Sequence, residues 1–187
     1  MIAAATPSFD LVVAVDLDWG IGKDNALPWP KLRGDLAHFR RVTSTTARDG
    51  ARNAIVMGRK TWQSKEVAGK PLPKRLNVVV TRGELAVPDG VIVARGLDAA
   101  VAAAAAAPDV ERVFVVGGAH LYRDALADRA LARIYLTRVA ARYGCDARIP
   151  DLDAAGFARD ATWDGEATGD DSGVSYRIER LIRPPAA

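Results

Sequence analysis

The sequence predicts an α/β fold: a mostly parallel central sheet of about eight strands with flanking helices and an antiparallel C-terminal edge. Three observations lead there. Short β-rich apolar runs alternate with helical segments through the first two thirds of the chain, as strand–helix–strand crossovers require. The last two apolar runs have no obvious helix between them, which fits antiparallel neighbours joined by a long loop. Finally, 187 residues with 49% hydrophobic content suffice for one well-packed domain and fall short of two. We therefore expect a single domain over residues 1–187 with a structured core at about 8–183.

The strand candidates are FDLVVAV (9–15), NAIVM (53–57), LNVVVT (76–81), VIVA (91–94), RVFVVG (112–117), RIYLTRV (133–139) and VSYRIERLI (174–182). Between them, helical patterns fall at 32–43, 60–65, 98–107 and 119–127. The alanine-rich stretch LDAAVAAAAAAPD (97–109) reads as a helix capped by Asp98, favoured by Ala and stopped by Pro108. Its small side chains suit close packing on a sheet. The tail RPPAA is expected to fray.

Composition narrows the function. Lys plus Arg total 26 against 23 for Asp plus Glu, a net charge of +3 with the basic residues spread along the chain. That is not the footprint of a nucleic-acid binder, and it suits small anionic ligands met by a few well-placed cations. The single cysteine, Cys145, excludes an intrachain disulfide and fits a reducing compartment. With two histidines and one cysteine, a Cys/His metal site is not expected. The start, MIAAATPSFD, lacks the pattern of a signal peptide, and no stretch reaches membrane-spanning length. A cytoplasmic, monomeric protein with no membrane or nucleic-acid partner is the expectation.

Four stretches carry possible chemistry. In LPWPKLRGDLAHF (27–39), Leu32, Leu36 and Phe39 fall at helical spacing, and Asp35 lies on the same stripe. Two readings stay open for it: a residue satisfying amides at a helix start, or a carboxylate that meets a ligand. The loop AVDLDWGIGKDNALPWP (14–30) reads as a lid or as a packed connection. VMGRKTWQS (56–64) and VVGGAHLY (115–122) each run strand, glycine, helix, where backbone amides and the cations Arg59 and Lys60 can meet phosphate. Arg82 and Arg95 follow two further strands, so four cations gather at strand ends, where α/β sheets bind ligands.

In order, these motifs, with DLAHFRRVT, PLPKRLNVVVTR, IYLTR and SYRIERL, resemble the dihydrofolate reductase family along nearly the whole chain. Reductases of the riboflavin pathway share the fold; Asp35 together with Arg75 separates this chain from them. The resemblance implies NADPH-dependent reduction of 7,8-dihydrofolate by hydride transfer to pterin C6 with protonation at N5.

The resemblance also implies roles. Asp35 matches the active-site carboxylate that pairs with the pterin 2-amino group and N3–H, while Leu36 and Phe39 grip the ring. Thr137 matches the threonine bridging carboxylate and amino group, and Trp29 the tryptophan that holds a water nearby. Arg75 matches the clamp on the glutamate α-carboxylate, and Val12, Val13, Ser64, Val116 and Tyr122 complete the substrate set. On the cofactor side, Gly58, Arg59, Lys60, Thr61, Thr81 and Arg82 match the 2′-phosphate and adenosine end, with Arg95 a further basic contact. Gly117, Gly118 and Ala119 match the pyrophosphate turn, followed by Leu121; Ala14, Ile21 and Tyr122 match the nicotinamide lining, and Gly22 and Leu27 the closing loop. Two departures stand out. The interval from Trp29 to Asp35 is one residue longer than in many bacterial members and resembles the animal spacing, where Glu is usual at the acid position. Lys65 replaces an apolar residue that borders the substrate's aromatic linker.

Overall fold

The computed structural model describes residues 7–183, so the expected frayed tail at 184–187 and most of the N-terminal stretch lie outside the described residues. Among the described residues the first element is β1 (Phe9–Val15), which is almost wholly buried because a strand covered on both faces needs apolar residues at odd and even positions alike. A short β2 (Gly20–Gly22) follows, then α1 (Arg33–Ser44) and β3 (Arg52–Gly58). Next come α2 (Arg59–Trp62), β4 (Arg75–Val80), β5 (Val91–Ala94) and α3 (Leu97–Ala106). Then β6 (Val110–Val115), α4 (Ala119–Ala127) and β7 (Leu131–Val139) complete the crossovers. The last described elements are β8 (Ala147–Arg148), β9 (Ala158–Arg159), β10 (Ala167–Asp171) and β11 (Val174–Ile182).

The main sheet runs β10-β11-β7-β1-β6-β3-β4-β5, with β9 added on β11. From β7 to β5 every pairing is parallel; β11 pairs antiparallel with β7, β9 and β10. The expected parallel sheet with an antiparallel C-terminal edge is therefore present. The segment between 139 and 174 is not the bare loop expected, because β8, β9 and β10 lie in it. None carries an apolar run: β8 and β9 are two residues each, and β10 reads ATGDD, a polar strand at the sheet's edge.

Side-chain alternation assigns the two faces. Leu11, Val13 and Val15 join Leu97, Val101 and Ala104 of α3 and Leu121 and Ala125 of α4 in the larger core. Val12, Ile55, Met57, Phe114 and Tyr135 form the other, against Phe39 and Val42 of α1. Two helix expectations change. Asp98 sits in the first turn of α3 but makes no capping bond, and Gly96 is the N-cap. The second helix is one turn, Arg59–Trp62, because the chain folds back at once: Ser64 N–H donates to Thr61 O, and Gly69 N–H to Trp62 O. Among the described residues, no helix is long and apolar enough to cross a membrane.

One buried residue of α1 makes the fold sensitive to pH. His38 is 3% exposed, packs beside Tyr135 and Trp163, and leaves Nε2 without a partner. Burial and the neighbouring Arg41 charge push its pKa down from 6.5 to about 4. Between those values the unfolded chain binds a proton that the folded chain rejects, so stability is complete above pH 6.5 and falls as pH drops toward 4. We expect this residue to account for a loss on the order of 2 kcal/mol across that window. Urea unfolding of wild type and His38→Leu at pH 7 and pH 4.5 checks it: the gap between the two proteins should shift in favour of the variant at the lower pH.

Candidate active site

The crossovers leave β1 and β6 in opposite directions, β1 through α1 toward β3 and β6 through α4 toward β7. Adjacent strands whose connections diverge leave a crevice at their carboxyl ends. The residues there are Val13 and Ala14 from β1, and Val116, Gly117, Gly118 and Ala119 where β6 passes into α4.

Asp35 sits in the first turn of α1 and is 8% exposed. It does not cap its helix: the N-cap is Leu32, and the Asp35 carboxylate instead receives the Thr137 hydroxyl, which donates to Oδ1 at 2.7 Å. Thr137 stands beside Ala14 in the β1–β7 register, so the sheet fixes the donor and the helix the acceptor. Burial pushes the Asp35 carboxyl above its usual pKa, and the Thr137 hydrogen bond only partly opposes that. Tyr122 on α4 donates to Val12 O at 2.7 Å; burial, then the Asp35 charge, push its own pKa upward. Trp29 is buried with its ring edge-on to Tyr143, 5.9 Å between centroids.

Further along α1, Leu36 is 37% exposed, while Phe39 is half-buried with the Arg75 guanidinium 6.0 Å from its ring centre. Arg75, at the start of β4, is 9% exposed and donates to Thr43 Oγ1 at 2.8 Å and to Pro73 O at 3.0 Å. Burial and the Arg40 charge depress its pKa, and it forms no ion pair among the described residues. A buried guanidinium without a carboxylate is suited to an incoming one.

A cavity of about 920 Å³ occupies the crevice. It brings together Val13, Ala14, Ile21, Gly22, Leu27, Lys60, Thr61, Ser64, Val116, Gly117, Gly118, Ala119 and Tyr122. A Cβ at Gly117 or at Gly118 would lie 3.1 Å from the Thr61 hydroxyl, and Gly117 has φ +127°, so this turn needs bare backbone. Gly58 N–H donates to Gly117 O at 2.7 Å, which joins the two strand ends. The loop over the cavity is neither free nor featureless: β2 pairs with β8, Asp24 N–H donates to Asp146, and Leu27 N–H donates to Glu66.

Several expected residues do not line the cavity: Val12, Trp29, Asp35, Leu36, Phe39, Gly58, Arg75 and Thr137 lie outside its lining, with Thr137 next to Ala14 in the β1–β7 register. Arg59, Arg82 and Arg95 are exposed beyond the cavity, and Thr81 is buried beside them. One nitrogen of Arg95, Nη1, donates to the carbonyls of Thr81, Arg82 and Gly83, which shapes that turn. Leu121 packs into the core under α4 and does not line the cavity, since its position faces the sheet. Glu66, Arg123, Asp146 and Arg148 also line it; Arg123 stands on α4 one residue past the VVGGAHLY motif, while Glu66, Asp146 and Arg148 come from segments with no strand–glycine–helix pattern. Asp171, from the distant β10, reaches the start of α1, where it accepts the Gly34 N–H at 3.0 Å.

Comparison with known proteins agrees with this geometry. The family model for dihydrofolate reductase matches residues 8–183. A bifunctional dihydrofolate reductase-thymidylate synthase of Glycine max is 41% identical over 182 residues, covering 94% of this chain and 34% of that protein. This chain thus spans about a third of the length of such bifunctional relatives. The dihydrofolate reductase of Mus musculus is 32% identical over 174 residues, covering 90% of this chain and 93% of that one. The solved Schistosoma mansoni dihydrofolate reductase superposes with a TM-score of 0.82 at 32% identity, over 96% of this chain and 100% of its own. Similarity of this extent in both sequence and fold leaves one assignment: the chain belongs to the dihydrofolate reductase family.

Proposed function

We propose that this chain reduces 7,8-dihydrofolate to 5,6,7,8-tetrahydrofolate with NADPH, as a cytoplasmic monomer supplying one-carbon and thymidylate metabolism. One observation carries the reading: Asp35 is buried with Oδ1 held by Thr137, which pairs with the crevice residue Ala14, and with no protein donor on Oδ2 among the described residues. A carboxylate so held accepts two parallel donors from an amino-pyrimidinone edge, and the apolar Leu36 and Phe39 suit the faces of a flat ring. Arg75 would take the carboxylate at the far end of the substrate.

The residues on the cofactor side fit a dinucleotide phosphate. Bare glycine backbone at Gly117 and Gly118 lets a pyrophosphate approach, and Thr61 offers a hydroxyl beside it. Arg59, Lys60 and Arg82 make no ion pair among the described residues, so they are available to a 2′-phosphate. With α2 only four residues long, side-chain charge rather than helix dipole would supply most of that attraction. Bound NADPH supplies the hydride. Asp35 holds negative charge near N5 and raises that atom's affinity for a proton, Trp29 orders the water route, and the loop through Leu27 excludes bulk solvent.

Asp35→Asn should fold and lose at least about 100-fold in kcat/KM, on the order of 3 kcal/mol, because an amide supplies neither the second acceptor nor the charge. In wild type, the pH profile should bend at a pKa above the ordinary carboxyl value, as the direction of the Asp35 shift requires. That inflection should be missing from the variant; NADPH oxidation followed by absorbance over pH 4–9 checks both.

Arg75→Leu should raise KM for dihydrofolate by roughly 1.5–3 kcal/mol and leave a dihydropterin without the glutamate tail nearly unaffected. Arg75→Lys should recover only part of the loss, because an ammonium cannot make the paired contact. Equal damage with both substrates would mark Arg75 as structural.

Removing Arg59 and Arg82 together should weaken NADPH by roughly 1–2 kcal/mol per charge and leave NADH nearly unchanged, with the difference shrinking as salt rises. Steady-state KM values for both cofactors at two ionic strengths provide the measurement, and an unchanged NADPH-to-NADH ratio would assign these cations to the surface alone.

A further inference from the structure

The first turn of α1 has no cap from its own neighbourhood, because Leu32 at the N-cap has an apolar side chain. The acceptor comes instead from the edge strand β10. Asp171 Oδ2 takes the Gly34 N–H at 3.0 Å and the Tyr176 hydroxyl at 3.0 Å, and the Arg33 amide also faces it. Tyr176, on β11, is itself buried and lies against the helix start. A Cβ added to Gly34 would come within 1.9 Å of its hydroxyl, so the close approach requires glycine there. The adjacent Asp170 takes no part, since its carboxylate accepts the Ser175 hydroxyl at 2.8 Å.

An acidic side chain in a helix's first turn is drawn toward the free amides of that turn, both by hydrogen bonding and by the positive end of the helix. Asp35 is such a residue, yet its carboxylate faces Thr137. We infer that Asp171, supported by Tyr176, is a positioning residue for Asp35: by satisfying the amides of the first turn it leaves the Asp35 carboxylate free to face the substrate. The inference rests on the reading of Asp35 given above. It differs from a simple stabilising role, because it ties a residue on the sheet's edge to the substrate half of the site and not to the cofactor half.

The test compares Asp171→Ala, Asp171→Asn, Tyr176→Phe and, as a control, Asp170→Ala. Two measurements are made on each. The first is steady-state KM for dihydrofolate and for NADPH. The second is the titration of the Asp35 carboxyl by carbon-13 NMR, which needs no activity. The groups facing that carboxyl are Thr137 from β7, Tyr122 from α4 and Tyr176 from β11; both tyrosines stay neutral through the range because their pKa values are raised.

For Asp171→Ala we expect KM for dihydrofolate to rise roughly five- to tenfold and KM for NADPH to stay within about twofold. The Asp35 pKa should fall toward the ordinary value as its carboxylate turns to the vacated amides. Asp171→Asn keeps an acceptor oxygen and should stay close to wild type on both measurements, Tyr176→Phe should lie between, and Asp170→Ala should match wild type. An Asp35 titration unchanged by Asp171→Ala overturns the inference. So does an Asn variant as damaged as the Ala variant, or a parallel rise in both KM values. If wild type does not oxidise NADPH with dihydrofolate, the functional reading fails, while the titration still decides the positioning role.

Discussion

The site depends on keeping one carboxylate buried and uncommitted. A charge without a partner in the interior costs several kcal/mol, and a charge fully satisfied by the protein has nothing left for a ligand. Asp35 lies between these limits: Thr137 contributes one hydrogen bond, burial keeps the carboxyl easy to protonate, and the helix amides that would otherwise draw it in are occupied from β10. Each of those conditions comes from a different part of the chain. The donor stands on the parallel β7, the helix packs on β3, and the cap arrives on the antiparallel edge.

The arrangement divides labour across the crevice. Residues at the ends of β1 and β6 contribute mostly backbone and small side chains, which make room. The lining itself also carries charge, in Lys60, Glu66, Arg123, Asp146 and Arg148, while Arg75 near Phe39, Arg59 and Arg82 stand outside it. Electrostatic effects of such groups are strongest where water is scarce.

Much of this was legible in the sequence where the signal is local. The runs 9–15, 91–94 and 174–182 coincide with β1, β5 and β11, and the helix expected at 119–127 is α4. Each has enough consecutive apolar or periodic residues to declare itself. The short β2, β8 and β9 have no such signal, since two or three residues become strand only through the partner they meet. Asp35 stands out in the sequence because a carboxylate on an apolar stripe is anomalous, but only the position of Thr137, 102 residues away, decides between its two readings. Gly34 and Asp171 look ordinary alone, and nothing in their own surroundings announces a contact across 137 residues. His38 likewise looks like a solvated helical histidine until Tyr135 and Trp163 enclose it.

The contact between Gly34 and Asp171 also bears on the order in which the molecule matures. The chain emerges from the ribosome amino end first, so α1 and the strands of the parallel half exist before the β10–β11 hairpin does. Until that hairpin arrives, β7 presents an open edge and the start of α1 lacks its acceptor. Pairings of such long sequence separation form late, because loop-closure entropy must be met first. The surroundings of Asp35 are thus completed by the latest strands of this sheet, and a nascent chain that stops short of them carries every residue of the carboxylate's own helix without a finished pocket.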